Sequence, residues 1–227
     1  MLIWDPLYYI LALPALLLGL WAQMRIKIAY SRAQQRPAPL SGAAAARHIL
    51  DSAGIQNVEI ESIPGNLTDH YDSRAKVLRL SEEVYQSRTL AAVGIAAHES
   101  GHAIQDARAY APLTMRNAIV STANIGSTFG MLLFFLGIIL GGNLLLMRIG
   151  IALFACVVVF QLINLPVEFN ASNRAKVQLV QLGIINDEEL VYVKKVLNAA
   201  ALTYVAATLQ AIMTLLYLII RSQGRRN

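Results

Sequence analysis

The sequence predicts a mainly α protein, a multi-pass membrane helical bundle with a small α+β portion in water on which one helix carries an HExxH pattern. Three observations predict it. The 227-residue chain is 56% hydrophobic with a mean hydropathy of +0.50, too apolar for an ordinary soluble domain. Four runs, 7–23, 118–140, 144–165 and 202–220, approach the roughly 20 apolar residues that cross a hydrocarbon core. The remaining stretches, about 25–117 and 166–201, carry the caps, turns and alternating patterns of folded structure in water, so the chain reads as one membrane domain.

The first run has no basic residue before it and no small-residue cleavage site after it, and it reads as an anchor rather than a removable signal peptide. Arg25, Lys27, Arg32 and Arg36 follow, which places the next segment in the cytoplasm and the amino terminus outside. Of the 19 basic residues, 15 fall in 25–116 or 174–195, the two stretches that share a side if all four runs cross. Arg148 lies near enough to the start of the third run to snorkel. Arg221, Arg225 and Arg226 disagree by parity, and the bulk of the charge decides against them. The pI of about 9.5 is explained by attraction to anionic lipid, making the bilayer a partner; no basic stripe with interleaved aromatics points to nucleic acid.

Residues 34–40, with Pro37 and Pro39, form a linker. The next stretch, 41–54, reads as a short helix with a Ser or Gly start, an alanine body and Gly54 at its C-cap. Val58 to Ile63 and Lys76 to Leu80 alternate apolar with polar and predict two strands, separated by a turn-rich polar segment from Pro64 to Asp72. Ser81-Glu82-Glu83 opens a helix that continues through Val84 to Ser87. An exposed strand edge beside the motif helix would suit an extended peptide.

His98-Glu99-Ser100-Gly101-His102 follows an alanine-rich lead from Leu90 and is followed by Ala103-Ile104-Gln105, which predicts a helix. Positions four apart share a helical face, so two imidazoles can reach one Zn²⁺ while Glu99 takes a proton from the water on its open side. Only His48 and His70 are histidines elsewhere, and a chance match on a solvent-facing helix would not bury this set unpaired. The lone Cys156 lies in an apolar run and reads as a small core residue, leaving nitrogen and oxygen to bind the metal.

A catalytic zinc ordinarily takes three protein ligands. Glu168, just after the third run and Pro166, is the stronger candidate for the third; His48 lies on a distant helix, and Asp106 is on the motif helix itself. The alternative for Glu168 is an interfacial charge paired with Arg174. Asn170, Ser172 and Asn173 could orient a ligand by hydrogen bonding, as could Asp69, for which an Asx turn is the competing reading, as it is for Asp72. His70, Tyr71 and Tyr204, in that order, are candidates for stabilising an oxyanion or contacting substrate.

These residues predict a membrane zinc endopeptidase acting on a protein or peptide substrate through one zinc per chain, with Glu99 as general base. The competing classes are a noncatalytic metal-binding scaffold, for which Glu99 has no use, and a metal transporter, whose ligands would sit nearer a membrane midplane. Asp5-Pro6, Leu67 to Asp72, Ala96 to Gln105 and Leu165 to Phe169 together closely resemble the YugP-type neutral zinc metallopeptidase family of bacterial membranes. The resemblance runs over nearly the whole chain. It implies an integral membrane zinc peptidase, more distantly similar to HtpX and CAAX-prenyl peptidases, with a glutamate as third ligand. Where the family leads one to expect Glu-Phe-Asp-Ala-Ser, this chain has Asn170, which leaves the ligands intact and removes a charge beside them.

Overall fold

The computed structural model describes residues 5–223; Arg225 and Arg226 lie outside them. In chain order the elements are α1 (Pro6–Gln34), α2 (Gly42–Ser52), β1 (Glu59–Ile63), β2 (His70–Asp72), β3 (Val77–Ser81), α3 (Glu82–Gln86), α4 (Leu90–Ala107), α5 (Ala111–Ile139), α6 (Leu144–Gln181) and α7 (Asp187–Gln223). Four of the helices, α1, α5, α6 and α7, are long and apolar enough to cross a membrane. Each extends beyond its apolar run at one end at least, α5 before it and α6 after it, because backbone hydrogen bonding continues wherever good helix formers adjoin. Pro166 lies within α6 rather than at a break, so one helix carries both the third apolar run and Glu168.

The chain divides into two compact units. One takes α1 up to Trp21, Thr114–Leu165 and α7 from Leu202. Its core gathers Phe134, Met147, Phe154, Tyr217 and Leu218. Gly150 permits the close approach of α5 and α6, since a Cβ there would stand 2.6 Å from the Gly130 carbonyl oxygen. Apolar side chains also face outward: Ile10, Leu13, Leu17 and Leu20 of α1 are all at least 50% exposed, a surface that suits hydrocarbon rather than water. Asp5 accepts from the Tyr217 hydroxyl at 2.9 Å and meets Arg221 at 3.6 Å, so the first of the three cations that disagree with the charge pattern has a carboxylate beside it.

The other unit takes Ala22–Leu113 and Pro166–Ala201. Ser41 caps α2 through the Ala44 amide, and Gly54, left-handed at φ +74°, turns the chain away after Ala53. The sheet has the order β1-β3-β2, with β3 parallel to β1 and antiparallel to β2. Three strands stand where the alternation predicts two. With only three residues, β2 is too short to show a period and exists by pairing with β3, Tyr71 opposite Leu78. Asp72 shapes the turn between them by accepting from the amides of Arg74 and Ala75 at 2.9 and 3.0 Å. Those bonds and the Arg79 guanidinium hold its carboxyl down at about 2. The core joins Ile49 and Leu50 of α2, Leu78 and Leu80 of β3, Val93 and Ala97 of α4, Leu179 of α6 and Leu197 of α7.

Candidate metal centre

Helix α4 starts at Thr89, whose hydroxyl accepts from the Ala92 amide, and its alanines bury its lead-in against α2 and the sheet. On the next turns His98 and His102 stand on one face, their rings 4.8 Å apart and nearly perpendicular at 85°. Helix α6 comes against this turn at Gly101, where a Cβ would lie 2.7 Å from the Ala171 carbonyl oxygen. That approach brings Glu168, one turn earlier on α6, to the two imidazoles.

Glu168 Oε2 lies 3.3 Å from Nε2 of His98 and 3.6 Å from Nε2 of His102. His98, His102 and Glu168 offer ligand atoms that all lie within 4.8 Å of one another. Two donors each about 2.0–2.1 Å from one ion at a tetrahedral angle stand roughly 3.3–3.4 Å apart, so the 3.3 Å spacing is that of a zinc site and the 3.6 Å spacing lies slightly above it. The Glu168 Oε2 atom is buried and has no hydrogen-bond partner among the described residues. An orphaned carboxylate oxygen in the interior is costly unless a cation meets it, and this one faces two imidazole nitrogens. The residues present fit a zinc ion.

The opposite ring nitrogens are both engaged. His102 Nδ1 meets Gln105 Oε1 at 3.0 Å, and His98 Nδ1 meets Ser172 Oγ at 3.1 Å. The fully buried Gln105 donates its amide nitrogen to the Val167 carbonyl at 2.8 Å and to Asn170 Oδ1 at 3.0 Å, which leaves its oxygen to accept. His102 therefore donates from Nδ1 and keeps the Nε2 lone pair for a metal. Arg174 donates to Asn170 Oδ1 at 2.7 Å, and among the described residues the ion-pair partners of Glu168 are His98 and His102 rather than Arg174. Burial works against a charged His102, yet the Glu168 carboxylate beside it raises its pKa.

Glu99 is 9% exposed and accepts the Tyr71 backbone N–H on Oε2 at 3.1 Å. Burial pushes its carboxyl pKa up, and the imidazoles of His98 and His102 pull against that rise. A carboxylate lifted toward neutrality is suited to take up a proton.

The remaining candidate side chains make contacts of their own. Asp69 spends its carboxylate on the amide and hydroxyl of Ser81, at 2.8 and 3.0 Å, and so ties the segment before β2 to the end of β3 instead of orienting a metal ligand or closing its own Asx turn. The Tyr71 hydroxyl donates to Asp106 at 2.7 Å, and burial with that carboxylate raises its pKa. Asp106 also pairs with Lys76 and is not among the clustered ligands. His70 is exposed, with Nδ1 at 2.8 Å from the Thr68 carbonyl, and His48 is exposed on α2. Tyr204 belongs to α7 in the first unit. Sequence reasoning passed over Gln105, although its position three residues after His102 puts it on the same helical face. It also passed over the Tyr71 amide, which no residue type announces.

Compared with known proteins, residues 8–223 match the family described as "putative neutral zinc metallopeptidase". The chain is 45% identical over 222 residues to "Putative membrane protease YugP" of Bacillus subtilis (strain 168), covering 96% of this chain and 98% of that protein. No solved structure matches.

Proposed function

This chain belongs to the neutral zinc metallopeptidase family, and we propose that it is a membrane-bound zinc-dependent endopeptidase that hydrolyses peptide bonds of membrane or membrane-associated proteins. The observation that carries this reading is the buried, unpartnered Glu168 Oε2 standing against two imidazoles whose far nitrogens are already held. His98, His102 and Glu168 would hold one zinc. When bound, it supplies Lewis acidity, bringing a water into the neutral range of acidity and polarising a peptide carbonyl.

The protein's own groups do the rest. Glu99, anchored by the Tyr71 amide, takes the proton of the attacking water and returns it to the leaving amine. Ser172 and Gln105 keep the imidazoles turned inward. Strand β2 is an edge of the sheet tied to Glu99 by the Tyr71 N–H, so an extended peptide lying along that edge, paired through main-chain groups other than this N–H, would bring a carbonyl near the site. The basic balance of 25–116 and 174–195 assigns this machinery to the cytoplasmic side of a bacterial cell membrane. A metal-binding scaffold would leave Glu99 without a task.

The test is metal removal in mild detergent. A chelator should abolish hydrolysis of a peptide library, and one equivalent of Zn²⁺ per chain should restore it. Hydrolysis that persists after complete zinc removal would reject the reading.

A further inference from the structure

Beyond its apolar run, α1 continues for three turns whose exposed stripe nothing in the peptidase site uses. Arg25, Ile28, Ala29 and Arg32 recur at i, i+3, i+4 and i+7 and therefore share one face. With Tyr192 and Lys195 of α7, themselves three apart, they enclose a cleft of about 250 Å³. Among the described residues three cations line it and no carboxylate does. The adjoining cleft of about 520 Å³ shares Tyr192 and Lys195, but Glu188 and Glu189 line it beside Arg36, so its charge is mixed. The Tyr192 ring lies between the two, 4.9 Å from the Arg36 guanidinium and 5.8 Å from Lys195 Nζ, and cation–π attraction keeps these long side chains at the clefts.

We propose that the cleft at Arg25, Arg32, Tyr192 and Lys195 binds the phosphate headgroup of an anionic phospholipid. The proposal rests on the membrane reading of α1 and not on catalysis. Arg25 follows Gln23, the end of the apolar run, by two residues, about 3 Å along a helix axis, which puts it at headgroup depth. Guanidinium groups pair with phosphate oxygens in a fork that a point charge cannot match, and Lys195 adds a third donor. A lipid rather than free phosphate is favoured by the apolar path leading away from the cations. Ile28, 53% exposed in the cleft wall, and Met24, 59% exposed one turn nearer the apolar run, offer an acyl chain a continuous contact.

The full chain in nonionic detergent, titrated with dioleoyl-phosphatidylglycerol, dioleoyl-phosphatidylcholine or inorganic phosphate, tests this when bound lipid is counted by native mass spectrometry. Phosphatidylglycerol should bind at least tenfold more tightly than phosphatidylcholine. The triple variant R25Q/R32Q/K195Q should lose at least tenfold of that affinity, while the charge-matched R74Q/R88Q/R108Q should lose none. If the triple variant does not fold, K195Q alone should weaken binding at least threefold. Equal binding of the two lipids, equal loss in both charge variants, or unchanged binding in K195Q would overturn the site. Displacement of the lipid by millimolar inorganic phosphate would assign it to free phosphate instead. None of these readouts requires proteolysis, so an inactive peptidase leaves the result intact. Failure to incorporate into zwitterionic vesicles would overturn the membrane premise itself.

Discussion

The backbone N–H of Tyr71 donates to Oε2 of Glu99 at 3.1 Å, joining the edge strand of the sheet to the helix that carries both histidines. Since the donor is main chain, the side chain at 71 can change without disturbing it. Tyr71→Phe deletes only the hydroxyl bond to Asp106 and should cost about 0.5–1.5 kcal/mol of stability with hydrolysis within about tenfold of the parent. Tyr71→Pro removes the amide at an edge position where proline is tolerated, and should lower hydrolysis by a further order of magnitude or more. Thermal unfolding and initial rates check the pair. A fall of about 10²–10³ in Tyr71→Phe itself would make the hydroxyl an oxyanion donor and contradict its placement here.

Gln105 orients His102 from one side and is itself held by Val167 and Asn170 of α6. Gln105→Ala should weaken zinc binding by about 10–100-fold, the usual cost of losing a partner that fixes a ligand's tautomer. Asn170→Asp should keep the metal, because the same position still accepts from Gln105 and gains an ion pair with Arg174. Zinc competition with a fluorescent chelator measures both. Parental affinity in Gln105→Ala would remove Gln105 from the metal's support.

What the sequence makes legible is governed by locality. The membrane-length helices need only apolar runs, and the His98–His102 pair needs only four-residue spacing. Glu168 is harder, since 66 residues separate it from His102 and its approach depends on Gly101 meeting Ala171 across two helices. No periodicity encodes that contact. Strand β2 is illegible for the same reason, being three residues made regular by a neighbour. Asp69 carries the right chemistry to orient a ligand, and only the packing of β3 shows that Ser81 occupies its carboxylate.

Sidedness is expected from charge and is open to direct measurement. Cysteines placed at the exposed Ser62 and Asn66, in a Cys156→Ala background, should resist an impermeant thiol reagent in intact cells and react after permeabilisation. Reaction at both sites in intact cells would place the zinc-ligand unit outside.

The most direct measurement is zinc content and peptide hydrolysis in Glu99→Gln beside the parent. Glutamine keeps the size of the side chain and can still accept the Tyr71 N–H, but it cannot take up a proton from water. With His98, His102 and Glu168 untouched, one zinc per chain should remain, and hydrolysis should fall by at least ~10²–10⁴. Undiminished hydrolysis in a zinc-loaded Glu99→Gln protein would contradict the peptidase mechanism.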